Sequence, residues 1–409
     1  MPRRVTLVLT EAASAPPVVV EPFDVETPWW PDVEPVVKEA ARRFDVDVTV
    51  LRLLDATCDE HDPSGMAGAV TYLGETAAAD LDLLARQGRV APWAAGLDDH
   101  PLRASWARPG GPALHLAWAD RALDASGRPR IGPAEQVKTW NLSGLWRIPT
   151  TAGPAWLKTV PPFFAHEGRV IAALGRAPVP PLLAADDGRS LLADVPGEDQ
   201  WGAALGVLLE MVEHLVALQA RWIGRTDDLL ALGAADFRPP ALSSAAASTI
   251  EGASSPLSTR QRAVLSALVD GLDRRFDAVE CCGVPESLVH GDFHPGNVRG
   301  VSQALVLLDW GDCGVGHPLL DMDAMLASTA GRREAEPLRA AWFDQWNNLV
   351  PGCDPGRAAD LLAPVSCLRN AVVYQGFLDA IEPSEQLYHA GDVANALERA
   401  VDAVERSVL

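Results

Sequence analysis

One loop constrains this chain more than any other segment does. Residues 288–298 read LVHGDFHPGNV, so an apolar run is followed by Asp292 and then by Asn297. The Pro-Gly pair between these two polar residues predicts a sharp turn, because proline presets its backbone angle and glycine tolerates unusual ones. A sharp turn lets the carboxylate and the amide point to the same side of the loop. We therefore predict that both side chains face one substrate.

The spacing in this loop matches the catalytic loop of protein kinases, H-R-D-x-x-x-x-N, with glycine in place of the arginine. In kinases the aspartate takes the proton of the attacking hydroxyl, and the asparagine holds a magnesium ion. Residues 304–310 (ALVLLDW) predict an apolar strand, and the D-W-G that begins at Asp309 corresponds to the kinase D-F-G, whose aspartate also binds magnesium. Oxygen ligands from Asn297 and Asp309 suit Mg²⁺ and not zinc.

A third element of the same chemistry lies upstream, at one of the three lysines of the chain. Lys158 lies within residues 154–160 (PAWLKTV), which predict an apolar strand. A lysine among apolar neighbours is costly unless its charge meets an anion. In kinases such a lysine binds the α- and β-phosphates and pairs with a helix glutamate. Glu167, in the next predicted helix, is the natural partner.

Sequence patterns divide the chain into three parts. Residues 1–130 carry short β-branched runs bounded by glycine, proline and aspartate, and they predict a small α/β domain with a mixed sheet. Residues 131–195 predict strands around one helix, and residues 196–409 are mainly helical. Within these parts, we interpret residues 113–119 (ALHLAWA) as a strand. The Ser/Ala/Pro-rich residues 239–258 are interpreted as an irregular, mobile connection.

Net charge, apolar segments and cysteine spacing indicate which kinds of partner and cellular compartment fit the chain. The net charge of −21 disfavours nucleic acid, because phosphate neutralisation needs clustered lysine and arginine. No segment approaches the roughly 20 apolar residues that a membrane span needs. The six cysteines are scattered and form no CxxC pair, which favours reduced thiols over disulfides or zinc. We therefore expect a soluble, cytoplasmic protein that binds neither nucleic acid nor membranes.

The segments HGDFHPGN and LDWGDCGVGHPLLDMD, taken together, resemble the aminoglycoside phosphotransferase family, which shares a kinase-like fold with choline kinases. The resemblance covers about residues 134–400. It implies an α+β, bilobal protein-kinase-like fold, with a small β-rich N-lobe at 131–195 and a helical C-lobe at 196–409. A separate small α/β domain of unknown role, residues 1–130, precedes these lobes. That domain could cap the active site, shape substrate choice or mediate homodimer formation.

The resemblance implies transfer of a phosphate from ATP or GTP, with Mg²⁺, to a hydroxyl of a small molecule. It implies that Asp292 is the catalytic base. The other roles it implies are metal binding by Asn297 and Asp309, nucleotide binding by Lys158 and Glu167, and support of the loop by His290, His294 and Asp321. The glycine-rich loop of protein kinases is missing, so only the turn that includes Ser143 and Gly144 can cover the phosphates. Adenine or guanine would bind backbone groups near Leu192 and Asp194.

Two classes of acceptor fit the sequence equally well. An antibiotic would make the chain a resistance or self-protection enzyme, and a sugar, amino sugar or amino alcohol would make it a metabolic kinase. The negative charge favours a cationic acceptor. Four tryptophans could line an acceptor pocket or belong to the core: Trp201, Trp222, Trp342 and Trp346. Four further residues could face the acceptor or simply pack: Arg369, Tyr374, Gln375 and Glu382.

A function of another class is also compatible with the fold, namely a non-catalytic kinase-like module that binds nucleotide. Loss of Asp292 or Asp309 would favour that alternative. Both aspartates are present, so we expect an enzyme.

Overall fold

The computed structural model describes residues 2–11, 16–58, 68–252 and 257–406. The chain divides into two compact units. The first unit contains Met1–Ala165, Pro181–Asp194 and Leu378–Ala390; the second contains His166–Pro180, Val195–Phe377 and Gly391–Leu409. These units group the elements differently from the three domains expected from sequence, and that division stays a prediction.

The first unit begins with a mixed sheet. Its elements are β1 (Arg3–Thr10), β2 (Val18–Val20), β3 (Phe23–Val25), α1 (Glu34–Phe44), β4 (Thr49–Cys58), β5 (Gly68–Glu75), α2 (Ala78–Arg86) and β6 (Val90–Pro92). The strand order is β4-β5-β1-β2-β6, and β3 also pairs with β1. Strands β1 and β5 are parallel and the other pairs are antiparallel. Helix α1 buries Val36, Ala40 and Phe44 in the core of this sheet. The predicted mixed sheet is confirmed.

One expected strand of this region is a helix. Residues 113–119 lie inside α3 (Gly111–Ala125). The alternation of apolar residues in ALHLAWA imitates a strand, but the segment has no β-branched residue, and alanine and leucine favour helices. Pro112 stands in the first turn of α3, where its missing N–H costs nothing. The strand interpretation was therefore wrong.

The first unit also contains a five-stranded antiparallel sheet. Its strands are β7 (Glu135–Trp140), β8 (Ser143–Ile148), β9 (Ala155–Thr159), β10 (Leu182–Asp186) and β11 (Arg189–Ala193), in the order β10-β11-β9-β8-β7. Strands β7 and β8 form a hairpin, with Trp140 opposite Ser143. Lys158 lies on the central strand β9, between Leu145 of β8 and Ser190 of β11.

The segment Leu378–Ala390 is bound into the first unit by buried polar contacts. Arg103 donates from Nε and Nη2 to the carboxylate of Glu382, at 2.9–3.2 Å. Glu385 accepts a hydrogen bond from the backbone N–H of Leu53 at 2.9 Å, and burial raises the pKa of Glu385 to about 8. Asn141 and His389 form a side-chain hydrogen bond of 2.8 Å. These contacts join residues that are far apart in sequence.

The second unit is mainly helical. Its helices are α4 (Glu167–Leu174), α5 (Leu205–Ala220), α6 (Thr226–Ala231), α7 (Ala241–Gly252), α8 (Thr259–Asp270), α9 (Leu272–Glu280), α10 (Met322–Ser328), α11 (Ala335–Leu349), α12 (Pro355–Ala380) and α13 (Asp392–Arg406). Its strands are β12 (Glu198–Asp199), β13 (Ala235–Asp236), β14 (Ser287–Val289), β15 (Val298–Gly300), β16 (Val306–Leu307) and β17 (Gly314–Gly316). They form two small sheets, ordered β12-β15-β16 and β13-β17-β14. The last residues of helix α12, Leu378–Ala380, belong to the first unit.

Helix α7 replaces much of the connection that we expected at 239–258. Its sequence, ALSSAAASTIEG, is rich in alanine, the strongest helix former. Leu242, Ala246, Thr249 and Ile250 are buried at helical spacing. The helix also accommodates the hydroxyl of Thr249, which donates to the carbonyl of Ala245 four residues back. The interpretation as an irregular connection was wrong for these residues.

Two sequence expectations concern thiols and membranes. Cys281, Cys282, Cys313, Cys353 and Cys367 are free thiols. Across the described ranges, no helix combines the length and the apolar character that a bilayer span requires.

The buried carboxylate of Glu382 generates a stability prediction for the first unit. Arg103 and Arg52 both pair with it, and all three side chains are at most 8% exposed. Glu382→Ala leaves two buried guanidinium groups without this anion and should lower the free energy of unfolding by roughly 3–5 kcal/mol. Equilibrium urea unfolding, followed by tryptophan fluorescence, measures the loss.

Glu135→Ala is the matched control, because the Glu135–Arg147 pair is 43–45% exposed. Its expected cost is about 0–1 kcal/mol. Equal effects of the two substitutions would contradict a structural role for the buried pair.

Candidate active site

The loop between β14 and β15 forms the centre of the site. Strand β14 ends at Val289, and the loop closes with a short 3-10 turn at Pro295–Asn297. Gly291 has a φ of +92°, and a Cβ at this position would lie 2.0 Å from the carbonyl oxygen of Asp312. Only glycine allows this approach, so the second residue of H-G-D is fixed by the backbone.

Asp292 and Asn297 are brought together as the sequence predicted. The side-chain N–H₂ of Asn297 donates to the carboxylate Oδ2 of Asp292 at 2.8 Å and to its backbone carbonyl at 2.9 Å. His294 Nε2 lies 3.3 Å from the same Oδ2. Burial raises the pKa of Asp292, but the hydrogen bond and charge of His294 outweigh it and bring the pKa below its usual value. Asp292 is therefore ionised at neutral pH and able to accept a proton.

His290 supports this loop from the inside. Its ring is fully buried, Nε2 lies 2.9 Å from the carbonyl oxygen of Leu308, and Nδ1 accepts a long hydrogen bond, 3.4 Å, from the backbone N–H of Asp292. Because a carbonyl only accepts, Nε2 must carry the ring proton. Burial lowers the pKa of His290 to about 4, so the ring is neutral and its tautomer is set by these two contacts.

Asp321 holds the start of the loop. Its two carboxylate oxygens accept the backbone N–H groups of His290 and Gly291, each at 2.8 Å. Oδ2 also accepts from the side chain of Gln219 on α5 at 2.9 Å. Burial raises the pKa of Asp321 to about 6, and these donors oppose the rise. Sequence reasoning missed Gln219, although its position on the apolar, buried face of α5 was the available signal.

The hairpin of β15 and β16 places Asp309 next to the loop. Val298 pairs with Leu307, and the backbone N–H of Leu308 donates to the carbonyl of Asn297 at 2.8 Å. Asp309 therefore stands one residue beyond the residue bonded to Asn297, and its negative charge opposes the ionisation of Asp292. Its φ of +61° is unusual for an aspartate and marks local backbone strain of the kind found at functional sites.

These residues fit a magnesium ion. The amide nitrogen of Asn297 is used by its two hydrogen bonds to Asp292, which leaves Oδ1 as the amide atom suited to a cation. Asp309 is exposed and supplies a carboxylate. One or two such protein oxygens, completed by phosphate and water, are the usual protein contribution to a magnesium site.

Glu167 fixes the D-W-G segment. It is the first residue of α4, its side chain is buried, and Oε1 accepts the backbone N–H of Trp310 at 3.1 Å. The Trp310 indole is also buried, donates to the carbonyl of Leu307 at 3.0 Å, and lies with its centroid 4.5 Å from that of the His290 ring. Lys158 belongs to the first unit, and its pairing with Glu167 stays a prediction.

The remaining expected nucleotide contacts also lie in the first unit. Ser143 is mostly buried and accepts a hydrogen bond from the Trp140 indole at 3.1 Å. At Gly144 a Cβ would lie 2.7 Å from the ring of Trp146, which explains the glycine. Asp194 accepts from the Trp156 indole at 2.7 Å, and Leu192 lies opposite Trp156 in the sheet. Nucleotide contacts by Ser143, Gly144, Leu192 and Asp194 stay predictions.

The expected acceptor residues fall in different surroundings. Arg369 is buried and donates to the carbonyl of Gly291 at 2.6 Å, which gives it a part in holding the loop. Tyr374 and Gln375 are half-buried on α12, and burial together with the charges of Asp392 and Asp292 raises the pKa of Tyr374. Glu382 lies in the first unit in its buried ion pair. Contact of these four residues with an acceptor remains a prediction.

The four tryptophans fall into two groups by the exposed fraction of the side chain. Trp222, Trp342 and Trp346 are at most 2% exposed and belong to the core of the second unit. Trp201 is 59% exposed and lies against the loop, with its ring stacked on that of His294.

Comparisons with known proteins identify the class. Choline kinase LicA from Streptococcus pneumoniae matches at 15% identity and a TM-score of 0.51, covering 72% of this chain and 99% of its own. A macrolide 2'-phosphotransferase type I matches at 15% identity and a TM-score of 0.50, covering 68% and 96%. At this identity the likeness shows the fold, and the predicted α+β kinase-like fold is confirmed. A search of curated protein sequences finds no significant match.

The sequence model of the phosphotransferase enzyme family, APH, matches residues 145–359, more than half of the 409-residue chain. The chain belongs to this family, as its motifs indicated. It is therefore a kinase-like small-molecule phosphotransferase.

Asp321 generates a pH prediction. Its pKa is higher in the folded protein, about 6, than the ordinary 3.8, so the folded state favours the protonated form. Its contribution to stability therefore falls as the pH rises from about 4 to about 6, by up to roughly 3 kcal/mol. Asp321→Asn cannot titrate and should lose this pH dependence. Urea unfolding of both proteins between pH 4 and pH 7 measures the difference, and parallel stability curves would contradict the raised pKa.

Proposed function

We propose that the chain transfers the terminal phosphate of ATP or GTP, as its magnesium complex, to a hydroxyl group of a small molecule. One observation carries the proposal: a single loop and the adjoining hairpin bring together an ionised Asp292, the amide of Asn297 and the carboxylate of Asp309. This is the set of groups that phosphoryl transfer needs, namely a base beside a magnesium site.

Asp292 is the catalytic base of this mechanism. Both hydrogen-bond donors, Asn297 and His294, approach its Oδ2, so we assign Oδ1 to the acceptor hydroxyl. There the carboxylate orients the hydroxyl and takes its proton as the oxygen attacks the terminal phosphorus. The bond from that phosphorus to its bridging oxygen breaks, and the nucleoside diphosphate leaves. Because the transition state of such transfers is loose, most of the rate gain comes from placement and from charge stabilisation.

Asn297 and Asp309 are the proposed magnesium ligands. Bound magnesium would neutralise the charge that develops on the phosphate oxygens. Asp309 has a left-handed φ and directly precedes the buried Trp310, whose backbone N–H donates to Glu167. Lys158, from the central strand of the five-stranded sheet, is proposed to bind the phosphates and to pair with Glu167. Ser143 and Gly144, which begin strand β8 directly after the turn, are proposed to cover the phosphates, and backbone groups at Leu192 and Asp194 to hold the base.

The acceptor is proposed from chemistry alone. A net charge of −21 favours a cationic, hydroxylated molecule. Solved structures with the same fold include a macrolide phosphotransferase and a choline kinase, so antibiotics and amino alcohols are both candidates. An antibiotic would make this an enzyme of resistance or self-protection. Free thiols fit the cytoplasm, and dimerisation through residues 1–130 stays a prediction.

Asp292→Asn tests the base directly. The amide keeps the shape of the side chain but cannot take a proton, so kcat should fall by roughly 10²–10⁴-fold. Binding of the magnesium nucleotide should be retained. The measurement is phosphate transfer from Mg-ATP and Mg-GTP to a panel of aminoglycosides, macrolides, sugars, amino sugars and amino alcohols, with calorimetry for nucleotide binding.

Asp344→Asn is the matched control, because Asp344 is exposed on α11 and has no part in the proposed mechanism. It should transfer phosphate at the wild-type rate. Near-normal turnover by Asp292→Asn would refute the assignment. A wild-type protein that binds nucleotide but transfers nothing to the panel leaves the reaction class in place and excludes those acceptors. Failure to bind either nucleotide would refute the proposed function.

Asp309→Ala tests the metal site. Removal of a carboxylate ligand should raise the magnesium concentration for half-maximal nucleotide binding by on the order of tenfold or more, since even loss of a ligand's supporting partner has effects of this size. Calorimetric titration of ATP and GTP at several magnesium concentrations measures the shift. Unchanged magnesium dependence would show that Asp309 is not a ligand.

A further inference from the structure

The exposed indole of Trp201 contacts the proposed catalytic loop. Its ring stacks on the imidazole of His294, with centroids 5.0 Å apart and planes 25° from parallel. The same indole lies over Gly296, where a Cβ would meet its ring atoms at 2.5 Å. Gly296 is therefore small because the indole occupies the space that a side chain would need. The indole is 59% exposed, so it covers the loop from the surface of the protein.

The residues directly before Trp201 are fastened to the loop and to β15. Glu198 and Asp199 of β12 pair with Gly300 and Arg299 of β15. The backbone N–H of Gln200 donates to the carbonyl of Pro295 at 3.0 Å, and its side chain donates to the carbonyl of Gly300 at 2.9 Å. The position of the indole is thus set by backbone contacts on the residues directly before it.

His294 is held on its other edges by the loop itself. Its Nδ1 accepts the backbone N–H of Gly296 at 3.0 Å, and its Nε2 lies 3.3 Å from Oδ2 of Asp292. These two contacts fix the ring within its plane, whereas the stacked indole blocks movement out of that plane. Trp201 completes the restraint.

We propose that Trp201 is a positioning residue of the phosphotransferase, which holds the imidazole of His294 within reach of Asp292 and so keeps the carboxylate aligned for the acceptor hydroxyl. The effect on rate rests on the proposed function, whereas the effect on His294 does not. If Trp201 acted only as an acceptor platform, its removal would raise KM for the acceptor and leave His294 in place. The two roles therefore differ in what they predict for the His294 ring.

The first test observes the ring without any reaction. In protein labelled with ¹³C-histidine, the His294 ring signals are assigned among the nine histidines by their loss in His294→Gln. Loss of the indole removes its ring-current shift under either role, so the measurement is the position of the ring, observed as NOE contacts of the His294 C–H protons with the loop. Trp201→Ala should weaken these contacts and Trp201→Phe should keep most of them. Trp29→Ala, which removes another partly exposed indole, should leave them unchanged. Unchanged NOE contacts of the His294 ring in Trp201→Ala would overturn the proposal.

The second test measures turnover with water as the acceptor, as release of phosphate from Mg-ATP or Mg-GTP. Trp201→Ala should lower kcat roughly ten- to hundredfold, the cost of a misplacement of about 1 Å, with KM for the nucleotide unchanged. Trp201→Phe should recover most of the rate. Unchanged kcat in Trp201→Ala, or a rise in nucleotide KM alone, would overturn the positioning role.

Gly296→Ala provides a reciprocal variant. Its added Cβ must displace the indole, so it should reproduce both effects of Trp201→Ala. The double variant should be no worse than either single variant, because both act through one contact. Additive losses would contradict a shared contact. If the wild-type protein releases no phosphate from either nucleotide, the His294 signals alone decide the positioning of the ring. Failure to bind either nucleotide would refute the proposed function and leave the test on His294 unaffected.

Discussion

Two backbone N–H groups at the start of the loop, those of His290 and Gly291, are buried and must find an acceptor. The carboxylate of Asp321 takes both, one on each oxygen. This double contact sets the direction of the chain as it leaves β14, and every other feature of the site depends on that direction. The cost is a buried carboxylate with a raised pKa, and Gln219 and Arg369 reduce that cost.

The same loop shows how burial separates structural from chemical roles. The His290 ring and the Trp310 indole are fully buried, and the ring is held neutral. Asp292 is 44% exposed and remains ionised, and Asp309 is exposed. The buried groups therefore form a support for the loop, while Asp292 stays ionised and both carboxylates remain accessible to a ligand. Such preorganisation is what electrostatic catalysis requires.

Sequence patterns predicted the loop well, because the chemistry fixes both the residue types and their spacing over a few positions. Long-range contacts left weaker signals. Nothing in the chain order indicates that Glu382 belongs with Arg103, or that Gln219 meets the loop, since these contacts form only when distant segments fold together. Residues 113–119 of helix α3 were misread as a strand because their leucines alternate as they would in a strand. Periodicity alone cannot tell a short apolar strand from a helix segment.

The central claim is that Asp292, Asn297 and Asp309 form one magnesium-nucleotide site. A crystal structure of the protein with Mg²⁺ and a non-hydrolysable ATP or GTP analogue tests it most directly. The account predicts an ion bound by Oδ1 of Asn297 and the carboxylate of Asp309, with the terminal phosphate facing Asp292. An ion and nucleotide bound away from these residues would contradict it.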